Sequence, residues 1–136
     1  MKCTLKLSGS LTGEFKVLSF GYNLFQSVDP SGRPGTEVMC SELSFSVYPE
    51  DREKGYDNTF FKWLMTNEGG VNGEITYYKS EQGGEEMKKI TFEDGFCTSF
   101  NESTSAYGEE LVHDISVAVQ TAKFDDIDYR NMWLKE

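Results

Sequence analysis

The chain has 136 residues, 38% hydrophobic and 14% aromatic, which is enough for one core of ordinary size without disulfide or metal staples. Its formal charge of −10, from 23 acidic and 13 basic residues, argues against a nucleic-acid partner, because duplex binding rests on cations that neutralise phosphates. The same sign disfavours an anionic membrane surface.

The charge is uneven. Residues 1–34 carry Lys2, Lys6, Lys16 and Arg33 against Glu14 and Asp29, a net of +2, so the remainder sums to −12. Two readings stand: a basic part of one copy meeting an acidic part of another, or a solvated acidic surface that keeps the protein soluble. The three cysteines, Cys3, Cys40 and Cys97, are odd in number and have neither zinc spacing nor a close pair. They are expected as small buried or half-buried residues in a reducing compartment. The N-terminal stretch lacks the apolar core of a secretory signal, and no run approaches the roughly 20 apolar residues of a membrane helix. The expectation is a protein that begins in the cytoplasm, does not insert in a membrane, and leaves the cell only if a dedicated machine carries it.

Along the chain, alternation dominates. Cys3, Leu5 and Leu7 alternate with Lys2, Thr4 and Lys6, the period of a strand with one face on a core. A turn at 8–13 leads to a second run, Glu14 to Gln26, in which Phe15 and Val17 face one way and Leu18, Phe20, Tyr22 and Leu24 the other. That switch predicts a bulge or bend between Val17 and Gly21. A strand at Val38 to Val47 ends at Pro49. Asp57-Asn58-Thr59 then offers N-cap side chains, Phe60, Trp63 and Leu64 fall at helical spacing, and Gly69-Gly70 is expected to stop the helix. With Phe61 and Met65 also apolar, this short helix should sink against a sheet edge or barrel mouth. Runs 74–79 and 87–93 flank Glu81 to Glu85, a hairpin signal with Gly83-Gly84 at its tip. A further run covers Gly95 to Asn101, and one long strand is expected from Glu110 to Phe124, with Val112, Ala118 and Ala122 on a second, small face. One helix among some seven strands predicts a mainly β fold: a small antiparallel β-barrel, or rolled pair of sheets, with one short α-helix. Expected core residues are Leu5, Leu18, Phe45, Trp63, Leu64, Ile90, Phe92, Ile115 and Val117.

No constellation for catalysis stands out. His113, the single histidine, lies within an alternating strand with no nucleophile elbow beside it, so it is expected to be structural. Asp125-Asp126-Ile127-Asp128 lacks the glycine and closing glutamate of a calcium loop and reads as a solvated turn. Gly69 to Gly73 has no Lys-Ser/Thr pair and is no phosphate cradle. Neither a cofactor nor a metal is expected, and the protein is read as no enzyme.

The most informative stretch is Asn23 to Gly35, Asn-Leu-Phe-Gln-Ser-Val-Asp-Pro-Ser-Gly-Arg-Pro-Gly. Two prolines, an Asp-Pro step and two glycines restrict its backbone, so it can project from a sheet and be gripped. It resembles the loop of the Hcp (TssD) tube proteins of type VI secretion in their Bacteroidetes-type form, Asn-x-x-x-x-Val-Asp-x-x-Gly-Arg-Pro after a strand. The matching residues are Asn23, Val28, Asp29, Gly32, Arg33 and Pro34. The likeness runs from about Phe15 to Phe124, through the strand at Glu42 to Val47, the aromatic helix at Phe60 to Met65, Tyr77-Tyr78-Lys79, Ile90 to Glu93 and the closing strand. It implies a barrel domain at 1–124 with a tail at 125–136, and hexameric rings stacked into a tube that a contractile sheath expels. It also implies a ring-stacking loop of Val28, Asp29, Pro30, Gly32, Arg33 and Pro34, and partners in other copies, sheath, spike and secreted effectors. The charged segment 49–57 and the tail have no counterpart in the resemblance. The competing class is a barrel that binds a small apolar or carbohydrate ligand among its ten phenylalanines and seven tyrosines.

Overall fold

The computed structural model describes residues 2–26, 28, 30–33, 39–40, 42–51, 55–56, 58–67, 69–80, 83–104 and 111–130. Its main strands are β1 (Lys2–Gly9), β2 (Gly13–Gly21), β5 (Leu43–Val47), β8 (Val71–Ser80), β9 (Gly83–Thr104), β10 (Leu111–Ala118), β11 (Thr121–Phe124) and β12 (Ile127–Arg130). Two small ladders accompany them, β3 (Leu24–Phe25) with β4 (Met39–Cys40) and β6 (Glu50–Asp51) with β7 (Gly55–Tyr56), and one helix, α1 (Thr59–Thr66). The strand order β10-β5-β2-β1-β8-β9-β11-β12, with β9 also paired to β10, closes a barrel. Every pairing is antiparallel. The expected fold is observed.

Two strands turn the corners. β2 pairs with β1 through Gly13 to Lys16 and with β5 through Val17 to Gly21, and its register slips between Val17 and Ser19. This is the expected bulge. It leaves Leu18, expected in the core, 48% exposed, because the extra residue falls out of the pleat. β9 is a single 22-residue strand where the sequence suggested two runs. Up to Gly95 it pairs with β8, and from Phe96 with β10. The glycine permits the corner sterically: a Cβ at Gly95 falls 2.5 Å from the ring of Phe92, and one at Gly73, across on β8, 2.2 Å from it. Phe92 therefore lies flat over two glycines, and both strands come close together.

The expected strand from Glu110 to Phe124 is broken at Val119-Gln120 into β10 and β11. The break shifts the alternation, so Ala122 faces the core instead of a second face. A turn at Asp125-Asp126 returns the chain into β12, so residues 127–130, within the segment read as tail, are strand. Asp125 is structural: its backbone N–H donates to the Lys89 carbonyl at 2.8 Å and its Oδ1 accepts from the Lys89 N–H at 3.0 Å.

The interior is filled by side chains of the chain itself. Leu5, Leu7, Phe15, Phe45, Ile75, Ile90, Phe92, Ile115 and Val117 form it, and Phe60 and Trp63 of α1 enter it without residual exposure. Leu64 packs against the core but is only partly buried. The helix ends at Asn67, which adopts the left-handed conformation (φ 49°, ψ 44°), two residues before the expected glycines; Asn tolerates that region. Asn58 occupies the N-cap without a side-chain cap bond.

Candidate assembly surfaces

The predicted loop leaves the barrel after β2 and returns into β5. Its neck is the β3–β4 ladder, Leu24 opposite Cys40 and Phe25 opposite Met39. Backbone pairing therefore holds the two ends of the loop together. Leu24, Phe25 and Val28 are exposed, Val28 to 64%. Gly32 has φ +89° with open space around it, a conformation that favours glycine. Pro30, Gly32 and Arg33 are exposed, and Arg33 has an interaction within its own chain. Asp29 and Pro34 of the expected stacking loop lie outside the described residues.

A second surface escaped the sequence reading. On the outside of β2, β5, β10 and β9, cross-strand neighbours form two rows: Ser19, Ser46, Asp114, Asn101, and Gly21, Ser44, Ser116, Ser99. The inward row between them is Phe20, Phe45, Ile115 and Phe100. Ser46 Oγ donates to Asp114 Oδ1. No side chain in the two rows is longer than Asp or Asn, and the shallow groove above them holds about 460 Å3. The serines are scattered along four segments, so only the register brings them together.

The outside of β2, β1, β8, β9, β11 and β12 differs. There the cross-strand row reads Glu14, Lys6, Glu74, Thr91, Lys123, Asp128. Lys89 Nζ sits 2.9 Å from Glu74 Oε1 and 3.7 Å from Glu86 Oε1, and the Glu74 carboxylate raises the lysine pKa. Opposite charges directly across a ladder attract.

His113 is fully buried. Its Nε2 lies 2.9 Å from Glu102 Oε1, and its ring meets Phe100 and Phe60 edge to face, at 4.7 and 6.0 Å between centroids. Its Nδ1 is buried and has no hydrogen-bond partner among the described residues. This is a packing role. Cys97 is buried and Cys3 half-buried, and burial pushes both thiols up to about 11. Burial likewise lifts Tyr77 to about 12, with Cys3 and Tyr22 adding to the effect. Among the described residues no three His, Cys, Asp or Glu converge on a common point, and no helix is long and apolar enough to cross a membrane.

Fold and surfaces define a small closed β-barrel, plugged by one helix among the described residues and filled by its own side chains, with a two-residue ladder between Leu24–Phe25 and Met39–Cys40. The family model of the hemolysin coregulated protein Hcp (TssD) matches residues 1–134, and the chain belongs to that family, structural tube proteins of type VI secretion that are not enzymes. Among solved structures, Hcp1 from Flavobacterium johnsoniae is 20% identical, with a TM-score of 0.78 over 96% of this chain and 100% of that one. Hcp1 from Salmonella typhimurium is 21% identical, with a TM-score of 0.66 over 90% and 85%. A type VI secretion system effector from Yersinia pestis is 12% identical, with a TM-score of 0.69 over 95% and 99%. No curated protein matches the chain.

Proposed function

We propose that this chain closes into six-membered rings that stack into the expelled tube, and that Val28, Asp29, Pro30, Gly32, Arg33 and Pro34 form the stacking loop. The observation that carries the reading is the exposure of Leu24, Phe25 and Val28 together, beside the β3–β4 ladder that joins the two ends of the loop. Several exposed apolar side chains grouped in one segment mark a surface that a partner covers. Pro30 and Pro34 fix two backbone angles and so lower the entropy lost on docking, Gly32 permits a tight turn, and Arg33 can form paired hydrogen bonds with carboxylates. The Bacteroidetes-type form is supported by the loop motif. In this reading the rows of serine line the channel, because short hydroxyl side chains offer a passing effector little to grip. Sheath and spike are the further partners, and the subunit starts in the cytoplasm and leaves through the machine.

The test is Arg33→Glu. Circular dichroism should be unchanged and rings should persist, while electron microscopy should show roughly tenfold fewer stacked rings and secretion should fall. Stacking at the wild-type level would remove the loop from the mechanism.

A further inference from the structure

Exposed apolar side chains also mark a second place, the outer surface of α1. Phe61 and Met65, one helical turn apart, are exposed, Met65 to 66%. Phe61 meets Phe100 of β9 edge to face at 5.6 Å, which holds it in a fixed position. β5 relates this surface to the loop. The loop returns into β5 at Leu43. At the other end of β5, Val47 pairs with His113, on which Phe60 of α1 packs. Loop neck and helix thus stand at opposite ends of a five-residue strand, roughly 15 Å long. The ladder pairs Leu24 with Cys40, three residues before Leu43, and so places the loop neck at that end of β5.

We propose that the outer face of α1, centred on Phe61 and Met65, receives the loop of a second copy in the next ring. The proposal rests on the stacked-ring reading and names the surface that reading leaves open. A loop that met only the same loop of another ring would form a pair of rings and stop. Open-ended growth requires a donor at one end of the subunit and an acceptor at the other, a heterologous contact. The charges agree with this pairing. Arg33 is the cation among the described loop residues, and Glu102, whose side chain is 45% exposed next to Phe100, offers one carboxylate oxygen to His113 and has a second. Lys62 lies on the same helical surface, so the apolar contact carries the affinity and Glu102 fixes the orientation.

The experiment uses the full chain with Val28→Cys and Met65→Cys combined, each single variant, and a mixture of the two singles, under mild oxidation. The double variant should give a ladder of covalent multimers and the mixture a dimer, with neither in the separate singles. Stacked rings in the microscope without these products would overturn the proposal and leave the tube intact. Absence of rings altogether would overturn both. A second variant, Met65→Glu, should keep circular dichroism and ring number while lowering stacked rings about tenfold. Unchanged stacking would place the acceptor elsewhere.

Discussion

The barrel has two outer faces built from the same strands to opposite ends. Over β2, β1, β8, β9, β11 and β12 the row is mostly charged and alternates in sign on either side of Thr91: Glu14, Lys6, Glu74, then Lys123, Asp128. Over β5, β10 and the second half of β9 they are short and hydroxylic. A ladder of opposite charges is selective, since any partner must present matching charges. A plane of serines discriminates little. Because β2 and β9 belong to both faces, the division is made inside single strands, by the bulge at Leu18 and the corner at Gly95.

The two faces share one core, and the largest effect should erase their difference. Trp63→Ala, which empties the most voluminous fully buried position of the plug, should cost about 3–5 kcal/mol in urea unfolding and abolish both faces together. Loss from one face alone would mean that the faces fold independently. Alkaline pH should act on both as well. The Cys3 and Cys97 thiols titrate near 11 in the folded protein against 9.0 unperturbed, and Tyr77 near 12 against 10.0. Between about pH 9 and 12 the folded state keeps protons that the unfolded chain releases. Stability should therefore be full below pH 9 and decline as pH rises through that window, with a shallower slope in Cys97→Ala. Urea midpoints at pH 8 and 10.5 measure it, and equal midpoints would refute the burial of these groups.

Smaller effects should separate the faces. Glu74→Gln removes the nearer of the two partners of Lys89, and because both side chains are some 40% exposed the loss should stay under about 1 kcal/mol and vanish in high salt. Ser44→Thr on the hydroxyl face should change stability by no more than about 0.5 kcal/mol at any salt concentration. A salt-dependent response there would show that the smooth face also relies on charge.

Much of this arrangement was legible in the sequence. Alternation located the principal strands, the phase change in Phe15 to Leu24 located the bulge, and Asn58 to Leu64 located the helix. Other features were not legible, for physical reasons. A bulge ejects one residue, and nothing in apolar Leu18 tells that it is the one. The stop at Asn67 preceded the glycines because asparagine also tolerates the left-handed region. Gly95 looked like the start of a strand, whereas its lack of a side chain lets Phe92 lie across a corner within one strand. The serine rows join residues up to 97 positions apart, Ser19 to Ser116, and only pairing registers reveal them. For α1, a helix apolar on nearly every side read as one to be sunk whole, whereas only Phe60 and Trp63 enter the core and Phe61 and Met65 stay exposed.

The closure of the barrel also governs how the chain reaches its native state. β1 finds its second neighbour only when Lys2 meets Tyr78 and Gly9 meets Val71, whereas β9 and β10 are joined by a short connection. Local pairing can form early, but the seam between β1 and β8 requires a large loop to close first, which places folding in the slow range of milliseconds to seconds. Until then the β1–β2 hairpin exposes an unsatisfied edge to every other nascent copy at high concentration. The faster that seam closes, the shorter the time this edge is open to pairing with another chain.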